Sequence, residues 1–139
     1  MTAASMRGLL LFAHGARDPN WARPFEDVAR RVKSRRADVA VELAFLEFMA
    51  PDVGEAGRRL ADAGCVAVDV LPLFLGAGGH VRKDLPVLID RLRERHPAVQ
   101  WQLRTAVGEE DGVIEAMAKA ALDGLGGLGG HATADDAME

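Results

Sequence analysis

From Arg7 to Ala13 the chain is continuously apolar rather than alternating, the pattern of a strand buried on both faces of a parallel sheet. After the turn His14-Gly15-Ala16-Arg17, Asp18 supplies an N-cap and Pro19 a helix-compatible first residue. Trp21, Phe25, Val28, Ala29 and Val32 then recur at helical spacing, so a first helix is expected as far as about Arg36. Val39 to Phe48 reads as a second strand. Pro51-Asp52 opens a second helix, with Val53, Ala56, Leu60 and Ala61 on one face and Gly64 stopping it. The third strand, Cys65 to Leu75, is β-branched at Val66, Val68 and Val70. It leads through Gly76-Ala77-Gly78-Gly79-His80 into a helix marked by Leu85, Leu88, Ile89 and Leu92 and closed by Pro97. Val99 to Arg104 alternates apolar and polar residues, as a half-exposed edge strand does. Glu110 to Leu122 carries Val113, Ile114, Met117 and Ala121 as the stripe of a last helix.

Four strand-helix units in succession predict an α/β fold: an open four-stranded parallel sheet with helices on both faces. Residues 1–123 are expected to form a single domain, and the Gly-rich, acidic stretch 124–139 to be a disordered tail. With 49% apolar and 27% charged residues in 139, the chain has enough apolar material for a core without disulfides. Its longest apolar runs fall well short of the roughly 20 residues of a membrane-spanning helix. No secretory signal pattern opens it, and its one cysteine, Cys65, reads as a core thiol in a reducing compartment, so a cytoplasmic protein is expected. A net charge of −4 argues against nucleic acid as a partner. Arg17, Arg23, Arg82 and Lys83 nevertheless lie near two histidines in sequence, which leaves room for a small polyanion.

Open parallel sheets bind ligands beyond the carboxyl ends of their strands. His14 directly follows the first strand, Glu47 ends the second, and His80 closes the loop after the third, each 33 residues from the next. Two imidazoles and a carboxylate make a divalent-metal set suited to cobalt, iron, nickel or zinc, and three ligands leave positions open for exchange. The plainer reading is that a strand-end histidine hydrogen-bonds a turn; placement of all three groups at one edge is what favours metal. Glu42 is the alternative carboxylate on the second strand, and Glu47 is preferred as the nearer to its carboxyl end. His96, in the last turn of a helix, reads as structural, and His131 belongs to the tail. The loop Leu75-Gly76-Ala77-Gly78-Gly79-His80 admits a flat ligand or an anion close to the backbone. It lacks the lysine of a phosphate-binding loop and follows the third strand rather than the first, so nucleotide binding is rejected.

Three separate stretches make a recognisable set. They are Phe12-Ala13-His14-Gly15-Ala16-Arg17-Asp18-Pro19; Ala44-Phe45-Leu46-Glu47 with Pro51; and Leu71-Pro72-Leu73-Phe74-Leu75 leading to Gly79-His80-Val81-Arg82-Lys83-Asp84-Leu85-Pro86. Over about residues 6 to 122 the chain resembles the small sirohydrochlorin chelatases of the CbiX type. The resemblance implies a chelatase-like fold and insertion of cobalt (for cobalamin) or iron (for sirohaem) into sirohydrochlorin without an organic cofactor. It also implies a homodimer. By the same resemblance His14 and His80 match the family's paired histidines, Glu47 its mid-chain glutamate, and Leu75 to His80 its substrate-contacting loop. One departure is Ala50, where relatives often place an acidic residue before the proline.

Metal insertion exchanges two pyrrole protons for a divalent cation, and a neutral histidine can both ligate metal and accept a proton. His14 is assigned both tasks, His80 is the second ligand, and Glu47 is a ligand or proton acceptor. Arg17, Arg82 and Lys83 would meet substrate carboxylates. Two other classes compete: a non-catalytic metal carrier with the same ligands, and a phosphohistidine phosphatase. The second is disfavoured because no arginine precedes His14.

Overall fold

The computed structural model describes residues 6–76 and 78–126, without the side chain of His80. The elements alternate as expected: β1 (Met6–Ala13), α1 (Arg23–Arg35), β2 (Val39–Phe45), α2 (Val53–Asp62), β3 (Cys65–Pro72), α3 (Gly79–Arg95), β4 (Gln100–Leu103) and α4 (Asp111–Asp123). Short 3-10 turns at Pro19–Ala22 and Val107–Glu109 precede α1 and α4. The four strands form one parallel sheet in the order β2-β1-β3-β4.

The all-apolar strand is central, for the reason its pattern gives: only a strand covered on both faces can bury every position. Leu10, Leu11, Phe12 and Ala13 are all fully buried. Leu10 and Phe12 point to the face covered by α2 and α3, where they meet Ala56, Leu60, Ile89, Leu92 and Trp101. Leu11 points the other way, to Ala29 of α1 and Val41 of β2. At the edge, β4 buries Trp101 while Gln100 and Gln102 stay exposed, the predicted alternation.

Several boundaries differ from the sequence reading. The first helix begins with the 3-10 turn, in which the Asp18 carboxylate accepts from the Asn20 N–H at 2.9 Å, and becomes α-helical only at Arg23. Val28 does not join its buried stripe and is 40% exposed. β2 ends at Phe45 rather than Phe48, because the Phe45 N–H turns to the Pro51 carbonyl (2.9 Å) and Phe48 takes a left-handed φ of 67°. β3 ends at Pro72 rather than Leu75, since its neighbour β1 stops at Ala13 and leaves Phe74 and Leu75 no ladder to join. α2 starts as expected, the Asp52 carboxylate accepting from the Glu55 N–H at 2.8 Å.

The last helix forms where predicted, but among the described residues its stripe has no packing partner beyond the turn before it. Val113 is half-buried, while Ile114 (48%), Met117 (41%) and Leu122 (65%) are exposed. It packs chiefly against the short turn before it. Of the expected tail, Gly124 caps α4, and 127–139 lie outside the described residues.

Candidate active site

The carboxyl ends of β1 and β2 run on beyond the sheet and stay bonded. The Leu46 N–H donates to the Ala13 carbonyl at 2.9 Å, and the Glu47 N–H to the His14 carbonyl at 3.0 Å. The pairing of the strands thus extends into the loops and puts His14 and Glu47 side by side on the main chain. Gly15, at φ +88°, makes this closeness possible. A β-carbon built there would lie 1.9 Å from the Glu47 carbonyl oxygen. Both groups are exposed, so the imidazole and the carboxylate are open to a ligand.

A row of aromatic rings orients His14. Its imidazole lies 4.2 Å from the ring of buried Phe74 at an interplanar angle of 30°, and Phe74 in turn meets Phe12 at 5.6 Å. One face of the imidazole is covered by an apolar ring, and the ring plane is fixed by a residue that cannot move without disturbing the core. Phe74 is supplied by the β3 extension, where the Leu73 N–H donates to the Phe12 carbonyl at 2.7 Å.

The predicted loop Leu75 to His80 is divided by the structure. Leu75 is 68% exposed, and added β-carbons at Gly76, Gly78 and Gly79 would meet nothing within 4 Å, so this stretch is open on its outer side. Ala77 lies outside the described residues. His80 sits in the first turn of α3 rather than in the loop, which corrects its expected position while leaving it at the same sheet edge. Arg82 follows in that turn, its N–H bonded to the Gly78 carbonyl at 3.0 Å, and both Arg82 and Lys83 are exposed. Among the described residues, which include His14 and Glu47 but not the side chain of His80, no three His, Cys, Asp or Glu side chains gather around one point.

Two features of the site, Phe48 and Gly108, had no part in the sequence reading. Phe48 projects at the rim, 58% exposed, with the guanidinium of Arg17 stacked 5.0 Å over its ring. Gly108 clamps the root of the glycine loop: its N–H donates to the Phe74 carbonyl at 2.9 Å, and a β-carbon there would overlap Leu75. Leu46 (38%), Phe48 and Leu75 also bring exposed apolar surface to the loops of this edge. An exposed aromatic between a glutamate and a proline was the signal available for Phe48; nothing local marked Gly108.

Glu42 and His96 stand apart from this edge. Glu42 lies mid-strand opposite Leu10 and pairs with Arg59 at 3.3 Å. His96 caps α3, its carbonyl accepting from the Trp101 indole N–H at 3.3 Å.

This geometry lies wholly within a recognised sequence family: the CbiX family model matches residues 8–123. The chain belongs to the CbiX family. It is 33% identical over 84 residues to the sirohydrochlorin cobaltochelatase of Methanococcus maripaludis, covering 60% of this chain and 58% of that relative. It thus spans little more than half of that protein's length. The sirohydrochlorin cobaltochelatase of Sulfurisphaera tokodaii is 29% identical over 114 residues, 81% of this chain and 88% of its own. Among solved structures, a CbiX protein from Marinobacter aquaeolei VT8 superposes with a TM-score of 0.76 at 30% identity, over 86% of this chain and 97% of that one. The CbiX fold is therefore the one the alternating units predicted, and the motifs around His14, Glu47 and His80 all fall within the matched range.

Proposed function

We propose that this CbiX chain inserts a divalent metal ion, cobalt or iron, into sirohydrochlorin with release of two protons. The observation that carries the reading is the 3.0 Å bond from the Glu47 N–H to the His14 carbonyl, which holds the backbones of the two residues together at the sheet edge where α3, with His80 in its first turn, begins. The curated relatives, named as sirohydrochlorin cobaltochelatases, supply the substrate.

In this reading His14, Glu47 and His80 receive the metal and exchange it readily, because three ligands leave coordination positions open. The apolar rim of Leu46, Phe48 and Leu75 takes the flat face of the macrocycle, with the open glycine loop beside it. Arg17 and Arg82 face its carboxylate arms. As the metal enters the ring, His14 or Glu47 accepts the pyrrole protons, a task for which an imidazole's affinity near neutrality is well matched.

The test is the rate of metal-dependent change in the visible spectrum of sirohydrochlorin, measured anaerobically with cobalt, iron and nickel. His14→Ala and Glu47→Gln are expected to slow insertion about 100-fold or more. Both side chains are exposed, so melting temperatures should stay within a few degrees of wild type. A carrier with the same ligands would slow spontaneous insertion instead of accelerating it at catalytic amounts.

The working unit in this proposal is a homodimer in the cytoplasm. The stripe of α4, Ile114, Met117 and Leu122, is left exposed among the described residues and supports a second copy as its cover, since a continuous apolar face on a helix is ordinarily buried against something. Among the described residues no helix is long and apolar enough to cross a membrane.

A further inference from the structure

A separate cavity of about 280 Å³ opens on the α2/α3 side of the same sheet edge. Its apolar floor is Phe12 with Val53, Leu88 and Leu92, its near wall the start of α2 at Asp52 and Gly54, and its far wall Arg91 and Arg95 of α3. Phe12 belongs to the aromatic row that ends on His14, and Phe45 lies two residues before Glu47, so the cavity adjoins the candidate active site.

The two arginines differ from most of their neighbours in having no acidic partner. Arg58 is held by Glu55 and Asp62, Arg59 by Glu42, and Arg93 by Asp90 and the Trp101 carbonyl. Among the described residues neither Arg91 nor Arg95 forms an ion pair within 4 Å, and both are exposed. The Arg95 guanidinium reaches over the first turn of α2, 3.7 Å from where a Gly54 side chain would begin. The one carboxylate in the wall, Asp52, already accepts from the Glu55 N–H. The cavity is therefore cationic, with an apolar floor and helix-start N–H groups nearby.

Size decides what fits. At about 280 Å³ the cavity lies at or below the roughly 300–1,000 Å³ of pockets that enclose a whole drug-sized ligand. It is too small for a macrocycle and suits one short arm: an apolar stem on Phe12 and its aliphatic neighbours and a carboxylate between the guanidinium groups. We infer that Arg91 and Arg95 form a subsite that anchors a carboxylate arm of the substrate while its ring lies over His14 and Glu47. The inference rests on the proposed polycarboxylate tetrapyrrole only for the identity of the arm.

Binding without metal tests it apart from turnover. Sirohydrochlorin and, separately, the small polycarboxylate mellitate are titrated into wild type, Arg91→Gln/Arg95→Gln, and an Arg30→Gln/Arg31→Gln control on α1. The cavity variant should bind one or both probes on the order of tenfold or more weakly, with the control unchanged, since it loses charge-assisted hydrogen bonds. In the insertion assay its KM should rise with kcat within about twofold. Unaltered binding of both probes by the cavity variant, or no binding of either by wild type, overturns the subsite. If wild type binds mellitate through these arginines but not sirohydrochlorin, the subsite stands and the chelatase reading fails.

Discussion

Glu47 and His14 are joined through their main chains, the N–H of the first donating to the carbonyl of the second at 3.0 Å. Two candidate ligands from different strand-helix units are thereby one rigid object, although their side chains are exposed. Function-bearing loops are commonly mobile, and continuing the sheet ladder past the last strand residues is one way to hold them.

Gly15→Ala should break that object. The backbone there needs φ +88°, and the new methyl group would overlap the Glu47 carbonyl oxygen at 1.9 Å. Strain and displacement together should cost about 2–3 kcal/mol, seen as a melting temperature several degrees lower. Metal insertion should fall more than the stability loss explains, because the His14–Glu47 spacing changes. An alanine variant with wild-type melting and insertion would show that the loops are not coupled.

The positions of His14 and Glu47 were legible because the strand runs place both residues toward the carboxyl end and the sheet rule names that edge. The strand ends themselves were not. Nothing in Phe45-Leu46-Glu47-Phe48 marks where the regular strand stops, since that depends on the chain folding back so that Pro51 accepts from the Phe45 N–H and Phe48 turns left-handed. Phe74 and Leu75 likewise extend an apolar run whose neighbour has already ended. Arg91 and Arg95 look like any surface charges of a helix; only the fold brings them against the start of α2. The stripe of α4 was read correctly as apolar, but periodicity states that a face needs cover and not what covers it.

The proposed second copy can be tested as that cover. Ile114→Asp with Met117→Asp places two charges on the α4 face and should shift the sedimenting species from twice the chain mass to the chain mass. Protomer melting should change little, because these side chains are already 48% and 41% exposed and touch no core. If the wild-type chain already sediments as a monomer at tens of micromolar, the dimer is wrong.

Cys65 reports on the whole fold. It is buried at the start of β3, and desolvation raises its thiol above the ordinary value of 9.0. A raised value means that the folded state holds the proton more tightly than the unfolded one. The associated stability is full below pH 9 and is lost as pH climbs through the higher folded value. Urea midpoints should therefore decline above about pH 9. Labelling by a thiol reagent at pH 8 should be slow and should accelerate with denaturant in step with unfolding. Rapid labelling of the native protein would show that β3 opens locally.

Phe48 sets stability against activity. An aromatic residue at φ 67° sits in a region that L side chains seldom occupy, at a cost on the order of 1–3 kcal/mol. Its ring recovers little of that by burial, being 58% exposed, and what it holds is the Arg17 guanidinium 5.0 Å above it. Such strain persists where the position serves a ligand. Asparagine accepts the left-handed conformation more readily, so Phe48→Asn should leave stability equal or raise it by about 1 kcal/mol, a melting temperature roughly 3 °C higher for a chain of this size. The same change removes the apolar rim surface and frees Arg17, so KM for sirohydrochlorin should rise several-fold while the His14- and Glu47-dependent step keeps its kcat. A variant that melts several degrees lower with unchanged KM would assign Phe48 to the fold and not to the substrate.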